Sequence, residues 1–137
     1  MDVVVLIGRV LFSVLFLSSA LGHFTQTEQM AGYTASKGVP MAKLSVLGSG
    51  ALFGLGGLSV LLGVWADLGS LVLLVLLLLT AVMMHQFWKV SDPQAKQADM
   101  INFNKNLALA GASLMLFAFF AHDSCLGLTI TGPLFNL

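Results

Sequence analysis

Charge is scarce in this chain of 137 residues: six Lys and Arg, six Asp and Glu, 9% of the whole, where a soluble domain carries about 25%. The formal net charge is zero. There is no basic patch and no acidic tail, so nothing fits a nucleic-acid partner. Cysteine occurs once, at Cys125, which excludes an internal disulfide and a CxxC redox motif. So near the carboxyl end it reads as incidental. The opening Met1-Asp2-Val3 is acidic where a cleaved signal needs positive charge. Ser18-Ser19-Ala20 is therefore read as part of a retained helix and not as a cleavage site.

The missing charge is missing in blocks. Val10 to Thr27, Leu44 to Ala66, Leu68 to Trp88 and Asn106 to His122 contain no Asp, Glu, Lys or Arg. A helix crossing the hydrocarbon needs about 20 mostly apolar residues. The pattern predicts an all-α integral membrane bundle of four transmembrane helices, at about 3–22, 44–65, 68–88 and 103–122, forming a single domain over 1–137. The second and third segments meet in a tight hairpin at Ala66-Asp67. The connections 23–43 and 89–102 are longer and polar, and the last fifteen residues, with Gly127 and Gly132-Pro133, read as irregular or interfacial. Trp65 and Trp88 fall at opposite ends of the hairpin, where an aromatic belt would put them. Four crossings place Lys37, Lys43, Lys89, Lys96 and Lys105 on one side, and Asp2, Asp67 and Asp123 on the other with Arg9. The positive-inside rule then expects both termini outside.

The second segment is rich in glycine: Gly48, Gly50, Gly54, Gly56, Gly57 and Gly63. Small residues let helix backbones approach where lipid gives no hydrophobic drive to associate. Gly50, Gly54 and Gly57 are assigned to helix packing, inside the bundle or between copies in a homo-oligomer. In the third segment Leu71–Leu79 is all Leu and Val, and is expected to face lipid over much of its girth.

Function must rest on the few polar groups that enter the bilayer. Arg9 lies about 9 Å inside the first helix, counted from Val3 at 1.5 Å per residue. There it must snorkel, pair with Asp2, Asp67 or Asp123, or face a wet cavity that holds an anion or carbonyl. Arg9, Ser13, Phe16, Ala20 and His23 share one helix face. His23 and His85 both reach the lysine-rich side. Two histidines at one level suit a hydrogen bond to a quinone or other carbonyl ligand; a metal or haem is a weaker fit, because no Cys or carboxylate is spaced with them. Asn102, Asn106, Leu109 and Ser113 form a stripe of the fourth helix, with Asn102 also a candidate cap. Together His23, His85, Asn102, Lys105 and Asn106 form a candidate polar cluster at one mouth of the bundle. His122-Asp123-Ser124 is the polar end of the fourth helix, since sequence neighbours do not face one another on a helix.

The motifs resemble a family. They are Arg9 in the first helix, Gly38-Val39-Pro40 in the long connection, Gly56-Gly57-Leu58 and Leu62-Gly63 in the second helix, His85-Gln86-Phe87-Trp88 ending the third, and Asn102-Phe103-Asn104-Lys105-Asn106-Leu107-Ala108-Leu109 with Gly111 in the fourth. In order and spacing, from about Leu6 to Phe119, this is similar to the DoxX family of small four-helix bacterial membrane proteins. The resemblance implies a bundle in the bacterial inner membrane and an association with redox chemistry. Family members include a subunit of an archaeal thiosulfate:quinone oxidoreductase and partners of thiol-oxidative-stress enzymes. It points to Arg9, His85, Lys105 and Asn106 as the polar site. One departure stands out: the family usually has a glutamate just before the glycine cluster, and here the stretch reads Ala51-Leu52-Phe53-Gly54.

Three readings follow. The first is a quinone-linked, redox-associated subunit without an intrinsic cofactor, leaving electron transfer to a second polypeptide. The second is a non-enzymatic scaffold or assembly factor. The third is a small transporter: a proton-coupled exporter lacks its membrane-embedded carboxylate, which leaves an anion carrier using Arg9.

Overall fold

The computed structural model describes residues 1–122 and 126–137. Its helices are α1 (Asp2–Thr25), α2 (Thr27–Ser36), α3 (Ala42–Leu62), α4 (Ala66–Met84) and α5 (Pro93–His122), with a 3₁₀ turn at Phe87–Lys89. Four of them, α1, α3, α4 and α5, are long and apolar enough to cross a membrane. The chain is an all-α membrane bundle in which α1 packs on α3, α3 on α4, and α4 on α5, with α2 laid against α3.

The helix bounds differ from the charge-free blocks for local reasons. α5 starts at Pro93 and not near 103. Asp92 caps it, its Oδ2 accepting the Ala95 N–H at 2.9 Å, and proline suits the first helical position because its missing N–H would be unpaired there. Asn102 is thus inside the helix and does not cap it. Residues 93–98 are exposed, so this stretch has no apolar stripe to betray it. At 1.5 Å per residue α5 is about 45 Å long, beyond the ~30 Å hydrocarbon, and its first turns stand outside. α2 lies within the connection read as 23–43; one residue, Gln26, separates it from α1.

The hairpin turn is Gly63-Val64-Trp65, not Ala66-Asp67. Gly63 ends α3 in the left-handed conformation (φ +66°), and a Cβ there would sit 2.7 Å from Nη2 of Arg9. Ala66 and Asp67 instead open α4, both fully buried, and a carboxylate suits a helix N-terminus.

Three glycines of α3 carry the crossing with α1. A Cβ at Gly50 would lie 2.5 Å from the His23 Cβ, at Gly54 3.3 Å from the Ala20 Cβ, and at Gly57 3.1 Å from the Phe16 Cβ. Gly56 serves the other crossing, where its carbonyl oxygen lies 3.2 Å from a Cβ built on Gly69 of α4. The GxxxG face is therefore occupied within the chain. Gly48 has no neighbour within 4 Å of such a Cβ. Gly48→Ala is expected to be neutral or to stabilise by up to ~1 kcal/mol through helix propensity, and Gly54→Ala to cost about 1 kcal/mol at most, read by thermal melting in detergent.

Phe16, Phe53, Val60, Leu73, Leu77 and Phe120 form the buried core. α4 buries Leu73 and Leu77 and leaves Val75, Leu78 and Leu79 about half exposed, so lipid meets one side of it. The segment 126–137 runs across the bundle end. Ile130 N–H donates to the Leu62 carbonyl and Thr131 N–H to Gly63, Trp65 N–H donates to Thr131 Oγ1, and Phe135 N–H donates to Asp67 Oδ2 at 2.6 Å. Asp123, Ser124 and Cys125 lie outside the described residues.

Candidate functional site

A cavity of about 770 Å³ lies at the lysine-rich end of the bundle, lined by parts of all five helices. Its wall is mostly apolar, with Phe16, Phe53, Leu77 and Leu109 among the lining residues, and Leu15, Leu52 and Leu79 at positions half exposed on the bundle surface. Polar groups enter at Ser19, Thr34, Ser49, Thr80 and Asn106, and through the two histidines.

Each histidine is anchored through one ring nitrogen. Nδ1 of His23 lies 2.7 Å from the Ser19 carbonyl oxygen. A carbonyl only accepts, so this network assigns the proton to Nδ1 and leaves Nε2 as the acceptor of the neutral ring. Gly50 against the His23 Cβ, and Phe53 in edge contact with the ring at 5.8 Å between centroids, fix its position. His85 follows α4, its Nδ1 3.5 Å from Asp99 Oδ1 on α5. The other Asp99 oxygen accepts from Lys37 Nζ at 2.8 Å. Asp99 is 8% exposed. The hydrogen bond to Asp99 holds the Lys37 ammonium above the ordinary lysine range, against a smaller opposing effect of burial.

The predicted cluster is partly assembled. His23, His85 and Asn106 line the cavity. Asn102 is half-buried and Lys105 exposed, and neither lines it. Arg9 is remote from it. Fully buried, it donates from Nε to the Val60 carbonyl at 2.8 Å, from Nη2 to Leu61 at 2.7 Å and from Nη1 to Leu128 at 2.9 Å. It forms no ion pair with Asp2 or Asp67, and among the described residues it binds only carbonyls. The last-turn carbonyls of α3, unpaired at any helix end, and the Leu128 carbonyl take up the guanidinium donors. Ser13 Oγ and Asp67 Oδ1 are buried without a partner among the described residues.

Lys37 and Asp99 were not in the candidate set. Asp99 continues the stripe Asn102, Asn106, Leu109, Ser113 by one turn toward the N-terminus, and Asp92-Pro93 marks a helix start. Both signals are in the sequence, masked by the polarity of 93–98. Among the described residues no three His, Cys, Asp or Glu come together as a metal site; at Asp99 the cation is the Lys37 ammonium.

The four spans, the apolar cavity and its anchored histidines define a small polytopic membrane protein with a ligand-sized chamber at one end. The DoxX family model matches residues 4–86, over half of the chain, and the chain belongs to the DoxX family. It is 28% identical over 114 residues to the inner membrane protein YphA of Escherichia coli (strain K12), an alignment covering 83% of this chain and 81% of that protein. No solved structure matches the chain.

Proposed function

We propose that the protein binds a lipid-soluble carbonyl compound, a quinone, in this cavity and acts as a redox-associated subunit in the bacterial inner membrane, with both termini outside. The observation that carries the reading is the pairing of an apolar chamber with two histidines whose Nδ1 atoms face fixed acceptors, at 2.7 and 3.5 Å, and whose Nε2 atoms have no partner among the described residues. A quinone carbonyl needs a donor and a hydroquinone hydroxyl needs an acceptor. The Asn106 amide supplies a donor, and a histidine Nε2 supplies either according to its protonation. The half-exposed Leu15, Leu52 and Leu79 give an apolar ligand a path from the bilayer. On this reading the chain binds the quinone and electron transfer belongs to a second polypeptide.

The test is purification in mild detergent, extraction and mass spectrometry of the lipid-soluble fraction. A stoichiometric quinone is expected. His23→Ala and His85→Ala should each weaken its binding about tenfold, the equivalent of one hydrogen bond of about 1–1.5 kcal/mol, in a protein that still folds. Quinone-free protein, or retention unchanged in both variants, overturns the reading. A scaffold or assembly factor is the second reading, supported by the exposed N-terminal turns of α5 at 93–98; a polypeptide co-purifying with quinone-free protein would favour it. An anion carrier draws no support from Arg9, whose observed bonds all go to backbone carbonyls.

A further inference from the structure

We propose that Asp99 is a positioning residue of the cavity: its carboxylate fixes the His85 ring through Nδ1 and, through Lys37, holds α2 down as a cover. The cover stands on geometry alone; its consequence for a ligand rests on the reading of the cavity given above.

α2 contributes Met30, Tyr33 and Thr34 to the cavity lining. Thr34 is buried, with Thr27, Met30, Ala31 and Lys37 half-buried along the same face. The helix is short, and its connections are narrow: Gln26 at one end, and at the other the stretch 37–41, with left-handed backbone at Gly38 (φ 81°) and Met41 (φ 51°). A ten-residue helix is marginal by itself, so it depends on what ties it down. Thr27 Oγ1 bonds the adjoining end of α1, at the His23 and Phe24 carbonyls. Glu28 pairs with Lys43, but both side chains are well exposed, at 79% and 62%, and such pairs contribute little. Lys37–Asp99 differs: the side chains are 20% and 11% exposed, and the bond is charge-assisted.

The charged and titratable groups facing this bond are few. Tyr33 lies under Lys37 Nζ, its ring centroid 5.3 Å away, and His85 approaches Asp99 from the end of α4. The folded pKa of Lys37 is raised by the Asp99 bond, so, wherever Asp99 is ionised, the stabilisation it gives is complete below the unfolded lysine pKa and is lost as pH rises through the higher folded value. The cover is therefore held through the neutral range.

The same carboxylate thus touches the cover's anchor with one oxygen and a cavity histidine with the other. Removing it should both open the chamber to water and free the His85 ring, whereas removing Lys37 should only open the chamber.

Val46 of α3 lines the cavity and is 3% exposed. In the full chain carrying Val46→Cys and Cys125→Ser, a water-soluble maleimide should label slowly. Lys37→Gln, Asp99→Asn and the double variant should each label about tenfold faster, by the same factor, and Lys37→Arg should stay slow. A cysteine at the exposed position 96 (Lys96→Cys) should label equally in all of them, which checks that each is folded. Unchanged labelling in Lys37→Gln, or a gain shared by position 96, overturns the cover. Nitrogen NMR of labelled histidine reads the second hold: Asp99→Leu should move His85 away from a single Nδ1–H tautomer, with His23 and the Lys37→Gln spectrum unchanged. A His85 signal that ignores Asp99→Leu overturns it. Neither measurement needs a ligand, so labelling that depends on Lys37 and Asp99 in quinone-free protein would end the quinone reading and leave the cover in place.

Discussion

Arg9→Ala is expected to destabilise the bundle by about 3 kcal/mol and to release the segment 126–137. The guanidinium joins three separate parts of the chain: α1, which carries it, the last turn of α3 through Val60 and Leu61, and the carboxyl-terminal segment through Leu128. Each bond from a charged donor is worth about 1.5–3 kcal/mol, and a buried acceptor left bare costs about 1–3 kcal/mol. Against that stands the relief of a buried cation, several kcal/mol for an ion that meets no counter-charge among the described residues. The difference is a net loss near 3 kcal/mol. Arg9→Lys should recover less than half, because one compact ammonium cannot reproduce the planar fork toward three carbonyls. Unfolding in detergent measures the loss. Hydrogen exchange at the Ile130 and Thr131 amides, which bond to Leu62 and Gly63, measures the release. Intact stability and unchanged protection in Arg9→Ala would show that the clamp is not structural.

Gly50→Leu should be equally damaging and should also reach the cavity. A Cβ at that position already lies 2.5 Å from the His23 Cβ and 3.2 Å from its Cγ, and the rest of a leucine has no room between α1 and α3. Overpacking of this kind costs about 1–3 kcal/mol and sometimes more; here the obstructing atoms are at the base of a side chain on a packed helix, so the upper end, about 3 kcal/mol, is expected. His23 must move with α1, and, on the proposed quinone reading, quinone retention should fall with stability. Gly48→Ala, two residues away, where an added Cβ meets nothing within 4 Å among the described residues, is the control. A Gly50→Leu protein that melts like wild type would mean that the two helices do not cross where the structure puts them.

The spans were legible because the hydrocarbon imposes the rule: a block without charge and long enough to cross can do little else. The Arg9, Ser13, Phe16, Ala20 stripe was legible from helical spacing, and all four residues are buried. The start of α5 and the whole of α2 were not, because neither is an apolar span: the exposed 93–98 stretch and the polar connection carry no long hydrophobic pattern. Asp99 was hidden with them. Arg9 was legible as a residue that must be satisfied, but its partners were not, since backbone carbonyls exist at every position and leave no trace in residue identity.

By itself the sequence determined the membrane class, the number of crossings, the glycine-rich helix and the family, because these follow from the distribution of charge and from local motifs. Only the tertiary structure decided that the glycines face α1, that Arg9 caps α3 and binds the carboxyl-terminal segment, and that Lys37, His85 and Asp99 meet beside one cavity. Those contacts join residues 14 to 119 positions apart, and which distant residues meet is set by how the helices pack, which no local pattern encodes.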